Sequence, residues 1–384
     1  MRNWLLPEYI EDVLPAEAAQ IESLRRSLLD LLDVHGYQLV MPPMLEYLES
    51  LITGVGHDLD LATFKVVDQL TGRLMGVRAD ITPQAARIDA HMLNNQGVTR
   101  LCYAGSVLRT SPDGLAQTRQ PMQLGAELFG HAGIEADIEI QRLMVKTLQA
   151  AGVNALQIDF SHVGIFDSLM SKVKASDALK QSIYQALQSK DQTEVKALSQ
   201  DFDAETREAL CRLTELNGDA NILTVAAKDL PKTPEITRAL NDLTQVAKDL
   251  ADLGVGLSFD LAELRGYHYH SGMVFAAYAQ GCSGPLAFGG RYDEVGQAFG
   301  RARAATGFSL DLRGLVKALP ALKVKKGILA PYGNEASLIS KINSLRASGE
   351  KVVQELPGHD AYIAELNCDR KLVNQAGQWQ VVSA

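Results

Sequence analysis

The stretch Ala104–Gly130, AGSVLRTSPDGLAQTRQPMQLGAELFG, decides how the chain is read. It opens as a β-type run ending at Leu108 and puts Arg109 at the strand end. Ser111, Pro112, Asp113 and Gly114 then make a turn, because proline presets φ and glycine accepts the reversed backbone. The chain returns through Arg119 into Gln123, Leu124, Gly125, Ala126, Glu127 and Leu128, with Gln, Gly and Glu on alternate positions. Successive strand residues face opposite ways, so the three share one face of an antiparallel hairpin. Cationic side chains near the loop can hold an anion. The carboxylate and amide along the return strand can floor a site for a polar or cationic ligand.

Outward from the hairpin, the pattern alternates strands and helices. Residues 15–35 follow Pro15 with Leu24, Leu28, Leu31 and Leu32 at helical spacing, and Gly36 ends them. YQLVMPPMLEYLESL reads as a strand, a proline break and a helix. Phe64–Asp68 and Arg73–Arg78 alternate around Leu70-Thr71-Gly72 as a second hairpin, with Asp80 and Thr82 just before a helix beginning near Pro83. Alone, an aspartate there is usually only a helix cap. Residues 135–151 predict a helix, Leu156–Phe160 a strand, and about 164–254 an all-helical insertion. The charges of that insertion are balanced, which fits solvated faces and not an RNA surface.

Sheet pattern resumes at Val255 and runs into LRGYHYHSGMVFAAYA. Arg265, Tyr267, Tyr269 and Ser271 alternate with Gly266, His268, His270 and Gly272, which predicts a strand polar on both faces with one face lining a cavity. His268 and His270 have a spacing that metal sites use, but no third-ligand motif accompanies them, so no metal is expected. FGGRYDEV (Phe288–Val295) carries two glycines that allow close backbone approach, to a ligand or simply within a bulge. ATGFSLDLRGLVKAL (residues 305–319) predicts a strand entering a helix. Residues 321–384 predict strand, helix, strand and a hairpin near Ala376-Gly377, a small α/β domain.

Composition narrows the function classes. A charged fraction of 22% beside a hydrophobic fraction of 46% describes an ordinary globular chain with a full core. The formal charge of −9 argues against a broad nucleic-acid face. Cys102, Cys211, Cys282 and Cys368 are far apart with no CxxC, so reduced thiols in the cytoplasm are expected, with neither zinc knuckle nor disulfide frame. The start is too acidic for a signal peptide, and no apolar run reaches membrane-spanning length.

Taken in order, Asp80/Thr82, Arg109…Gln123…Glu127, RGYHYHSG and FGGRYD resemble the motifs of class II aminoacyl-tRNA synthetases of the histidyl type, over roughly residues 7–320. The resemblance implies an α+β fold, an antiparallel sheet flanked by helices. It divides the chain into a core at 1–320 and a small C-terminal domain at 321–384. It also assigns roles: Asp80 and Thr82 to the substrate's amino group, Gln123 and Glu127 to the histidine pocket, and Arg109 and Arg265 to the carboxylate and phosphate. Tyr269 and His270 stand where the family has paired tyrosines, and His268 where it has an aspartate.

The departures lie at the ATP end. Ser111 replaces an adenine-holding glutamate and Gln117 a loop arginine. In register with Gly307 and Phe308, the helix arginine of the third class motif becomes Gly314 and the preceding glycine becomes Asp311. Arg313 is one residue off, and one helical step turns a side chain by about 100°. A carboxylate repels triphosphate, whose transfer needs preorganised positive charge. A histidyl-synthetase paralogue that binds but does not activate its amino acid resembles the regulatory subunits of ATP phosphoribosyltransferase. That resemblance implies no catalytic residue, no cofactor, L-histidine as effector, and no nucleic-acid or membrane partner. It also implies a homodimeric core in a hetero-oligomer with a short-form catalytic subunit. A divergent working synthetase and another amino-acid sensor stay open as alternatives.

Overall fold

The computed structural model describes residues 5–52, 57–112, 117–264, 266, 269–322 and 325–384. Two compact units divide it, residues 1–320 and 321–384.

In the first unit, helix α1 (Pro15–Val34) starts on Pro15, whose missing N–H costs nothing at a helix N-terminus. Leu28 and Leu32 from this helix are fully buried. A two-residue edge strand, β1 (Gln38–Leu39), leads to a small antiparallel sheet of β2 (Leu45–Tyr47), β3 (Phe64–Val67) and β4 (Leu74–Val77). Short helices α2 (Leu48–Ile52) and α3 (His57–Ala62) lie between β2 and β3. The expected hairpin at 64–78 is therefore present, and the proline-broken segment contributes a third strand, β2.

Helix α4 (Thr82–Arg87) continues as a π-helical turn, Ile88–Leu93. The central hairpin follows: β5 (Thr99–Ser106) pairs antiparallel with β6 (Met122–Phe129). The first strand stops two residues before the expected Leu108, and Arg109 instead makes an isolated bridge to Thr63. Asp113 and Gly114 of the expected turn lie outside the described residues. Helix α5 (Ile134–Ala150) and strand β7 (Leu156–His162) come next.

The insertion supplies α6 (Val163–Ser171), α7 (Asp177–Gln188), α8 (Gln192–Leu198), α9 (Ala204–Leu213), α10 (Asn221–Asp229) and α11 (Pro234–Asp249). Five of these helices have a capping side chain: His162, Ser176, Asp191, Asp203 and Thr233 each accept a backbone N–H. It is not wholly helical, since β8 (Asn217–Gly218) pairs with the sheet strand β9 (Gly256–Asp260). Strands β10 (Met273–Ala279), β11 (Ala287–Arg291) and β12 (Ala305–Asp311), then helix α12 (Leu312–Ala318), complete the unit.

Nine strands form one sheet in the order β1-β5-β6-β12-β11-β10-β7-β9-β8, antiparallel except for β1/β5 and β7/β9. This is the mainly antiparallel α+β architecture expected. On β6, Leu124, Ala126 and Leu128 face the main core and are at most 2% exposed. The alternate residues, Gln123, Gly125 and Glu127, face the other way and are buried too, so β6 is covered on both sides. Polar residues on a doubly buried strand are costly unless partnered, which marks that face as a site.

One expected strand is not found among the described residues. Those of residues 261–272 that are described lie outside any strand, between β9 and β10, and Gly266 takes φ +68 while its carbonyl accepts the N–H groups of Tyr269 and His270. Polarity on both faces was the sign of a turn, because a strand there would strand polar groups against the sheet. Arg265, Tyr267 and His268 lie outside the described residues.

The second unit has a four-stranded sheet, β14-β13-β15-β16, from β13 (Gly327–Ala330), β14 (Val352–Gln354), β15 (Cys368–Gln375) and β16 (Gln378–Ser383). Helix α13 (Ala336–Ala347) joins β13 to the parallel β14, and Ala376-Gly377 turns the terminal hairpin, both at positive φ. Ile328, Leu338, Ile342 and Leu372 form its own core. Among the described residues of the chain, no helix is long and apolar enough to cross a membrane.

Candidate functional site

The site is built on the front face of β5, β6 and β12, where register sets Tyr103 opposite Gly125 and Glu127 opposite Gly307. Both glycines are required for space. A Cβ on Gly125 would lie 2.4 Å from the Tyr103 hydroxyl oxygen, and one on Gly307 would fall inside the Glu127 carboxylate. Glu127 is 1% exposed. Its Oε1 accepts a hydrogen bond from the Tyr103 hydroxyl at 2.8 Å, and its Oε2 accepts one from the Tyr292 hydroxyl. Burial pushes its pKa up to about 8 against the two tyrosine hydrogen bonds, with Asp80 adding a like charge.

The other end of the site is set by α4 and the residues before it. Gln123 Oε1 accepts the Ile81 backbone N–H at 2.9 Å, while Gln123 Nε2 donates to Asp80 Oδ1 at 2.6 Å. Asp80 Oδ1 also accepts the Thr82 backbone N–H at 3.1 Å, at the entry to α4, whose N-cap residue is Ile81. Thr82 Oγ1 and the Tyr103 hydroxyl are 2.9 Å apart and hydrogen-bonded. The half-buried Asp80 is thus joined to the buried Thr82, Gln123 and Glu127 in one network, with Tyr103 at its middle.

Tyr269 closes the wall. Its ring lies 5.2 Å from that of Tyr292, and Asp80 and Glu127 both raise its pKa in addition to burial. The Tyr269 hydroxyl is buried with no hydrogen-bond partner among the described residues. A buried hydroxyl without a partner costs about 1–3 kcal/mol. Two carboxylates, a threonine hydroxyl and this phenol gathered on one face of the sheet suit a compact ligand carrying nitrogen donors at two ends.

Three expected residues fall elsewhere or outside. Arg109 is beside the site, its Nε donating to the Ala79 carbonyl at 3.2 Å. His270 stands next to Tyr269 with rings edge to face at 5.4 Å, but its Nδ1 is 3.1 Å from the Gly266 carbonyl and its ring covers Gly290. It also lines a separate 30 Å³ cavity with Asp159, Ser161 and Phe288. Arg265 is outside the described residues.

Two site residues were missed in the sequence, Tyr103 and Tyr292. Tyr292 is inside FGGRYD, where only the glycines drew attention. The signal for Tyr103 was its place on β5, two residues before Gly105 and on the parity that faces β6. Tyr292 is held from behind: Arg291 Nη2 pairs with the buried Asp137 of α5 at 2.7 Å and reaches the Gly133 carbonyl at 3.0 Å.

The β12–α12 junction is spent on the fold. Asp311 caps α12, accepting the N–H groups of Arg313 and Gly314 at 3.0 Å, and also accepts the Met122 N–H at 2.9 Å. Burial raises its pKa against these bonds. Arg313 is 5% exposed, donating to the Gln120 carbonyl and to Glu11. Among the described residues, no group of three or more His, Cys, Asp or Glu could hold a metal ion.

Comparison with known proteins gives the same picture. The histidyl-tRNA synthetase family matches residues 9–315, and the ATP phosphoribosyltransferase subunit HisZ C-terminal domain matches residues 325–382. The chain is 66% identical over 384 residues to an ATP phosphoribosyltransferase regulatory subunit of Methylobacillus flagellatus, covering 100% of this chain and 99% of that protein. It is 54% identical over 389 residues to that of Nitrosospira multiformis, again covering 100% and 99%. Among solved structures, an ATP phosphoribosyltransferase regulatory subunit/histidyl-tRNA synthetase from Bacillus halodurans superposes with a TM-score of 0.84 at 26% identity, over 97% of this chain and 98% of that one. The histidyl-tRNA synthetase of Nostoc sp. PCC 7120, at 18% identity and a TM-score of 0.77 over 100% and 97%, shares the fold. A histidyl-synthetase core followed by the C-terminal domain of that subunit, matched end to end by these relatives, places the chain in the family of ATP phosphoribosyltransferase regulatory subunits.

Proposed function

We propose that the chain is a non-catalytic regulatory subunit that assembles with a short-form ATP phosphoribosyltransferase catalytic subunit at the first step of L-histidine biosynthesis. It reports histidine through the old amino-acid pocket. One observation carries this reading: the Glu127–Tyr103–Thr82 and Gln123–Asp80 groups are joined by hydrogen bonds, with the Tyr269 hydroxyl unpartnered among the described residues, while Asp311 caps α12 and Arg313 is tied to Gln120 and Glu11.

In this reading the α-ammonium of histidine meets Asp80 and Thr82, and its ring nitrogen meets Glu127. Arg265 and Arg109 take the carboxylate, and Tyr269 and His270 wall the ring. Feedback requires only that histidine bind two arrangements of the complex unequally. A coupling of about 1–3 kcal/mol shifts partner affinity roughly 5- to 150-fold. A homodimeric core in the cytoplasm belongs to the same proposal. Support comes from the sheet's edge strand β1, which exposes Leu39 with Met41 just beyond it, as does Val98 at the start of β5. Exposed apolar side chains along a sheet edge invite a partner.

The test is reconstitution with the catalytic subunit. Histidine is expected to inhibit the complex made with the native chain, and Glu127→Ala is expected to keep assembly but lose that inhibition. Unchanged inhibition in the variant would put the effector site elsewhere.

A further inference from the structure

We propose that Tyr103 is the residue that sets the pocket's specificity, by coupling the end that reads the amino group to the end that reads the ring. The inference rests on the pocket assignment above and deepens it.

Tyr103 is fully buried on β5, between Thr82 of α4 and Glu127 of β6. When Glu127 is ionised, the single Tyr103 hydroxyl proton goes to Glu127 Oε1 at 2.8 Å. In that state the contact to Thr82 Oγ1 at 2.9 Å runs from the threonine, which donates to the phenol oxygen. Thr82 has then spent its only side-chain proton and offers lone pairs alone to a ligand. Lone pairs are what an ammonium group requires. The relay Thr82→Tyr103→Glu127 is therefore directional, and it holds one acceptor for the ligand's amine at a fixed distance from the acceptor for its ring.

The geometry leaves little freedom. Gly125 has no Cβ, and one there would lie 2.4 Å from the phenol oxygen and 2.8 Å from the Phe308 carbonyl, so the ring stands in a slot shaped for it. The groups facing Glu127 and this hydroxyl are Asp80 and Thr82 before and in α4, Tyr269 in the turn before β10, and Tyr292 after β11. Among these described groups none is a cation. A ligand with an amine at one end and a ring nitrogen at the other, long enough to reach both ends, meets both acceptors, and one of another length reaches only one.

The test is a double-mutant cycle read with a ligand that lacks the amino group. Calorimetric titration of the purified full chain with L-histidine first establishes binding. Titration with 3-(imidazolyl)propionate then reads only the ring and carboxylate. Thr82→Val is expected to weaken this analogue about 3- to 10-fold although the analogue has no amine, because the valine releases the Tyr103 hydroxyl from its fixed orientation. In a Tyr103→Phe background the same valine change is expected to have no effect. Thr82→Ser, which keeps the hydroxyl, is expected to restore native affinity.

Equal effects of Thr82→Val in both backgrounds, or none in either, would overturn the coupling while leaving the pocket assignment intact. A native chain that binds no histidine would overturn the pocket assignment itself and the coupling with it.

Discussion

The two ends of the sheet's front face have gone opposite ways. At the β6 end, Glu127 and Gln123 are buried and partnered by side chains from several elements, beside a Tyr269 hydroxyl that has no partner among the described residues. At the β12–α12 end, Asp311 and Arg313 are also buried and charged, and Arg313 Nε likewise lacks a described partner. The first end gathers two carboxylates, a threonine and three tyrosines on one sheet face. The second has turned its charges into a helix cap and a tether. Burial, charge or an unpartnered polar atom alone does not distinguish the two; the chemistry of the cluster does.

That contrast can be broken at several points. The largest effect on stability is expected behind the pocket, at Arg291→Ala. It leaves the Asp137 carboxylate of α5 buried without its guanidinium, which costs about 3–5 kcal/mol. Urea unfolding would measure the loss, and Tyr292, one residue on, should lose its grip on Glu127.

Next comes the pH dependence of Glu127. Its folded pKa of about 8 lies above the value of an exposed glutamate, so the folded state holds the proton more tightly than the unfolded one. Its contribution is fully present below the unfolded pKa near 4.5 and is lost as pH rises through 8. Between pH 5 and pH 8 that loss should reach about 3 kcal/mol, and Glu127→Gln should flatten it. A native chain whose unfolding free energy does not fall across this window, relative to the variant, would deny the carboxylate its dry setting.

Ligand affinity follows. Glu127→Ala should weaken L-histidine by about 100-fold, the order expected for a lost charge-assisted hydrogen bond, as read by calorimetry. The smallest effect is expected at the other end. Asp311→Ala removes the α12 cap and the tie to Met122, costing about 1 kcal/mol of stability. It should leave histidine affinity unchanged within about twofold. A large loss of histidine binding in that variant would mean the two ends are not separate.

Much of this was legible in residues 104–130. The alternation of Gln123, Gly125 and Glu127 marked one strand face, because it follows from a fixed backbone period. Tyr103 and Tyr292 were harder to see. Their role depends on which strand lies opposite which, and register across β5, β6 and β12 joins residues far apart in the chain. Residues 261–272 misled for a different reason. Alternating polar residues read as a strand with a wet face, whereas Gly266 at positive φ makes a turn that carries Tyr269 inward and leaves His270 on Gly290. Single-residue periodicity cannot separate these when no apolar residue breaks the tie.

The most direct measurement is histidine-dependent exchange of labelled pyrophosphate into ATP by the purified chain, on a sample whose melting temperature histidine raises. No exchange above background is expected, because Asp311 and Arg313 are committed to the fold. Exchange above background would show that the chain still activates histidine, and would contradict its place as a regulatory subunit that only senses it.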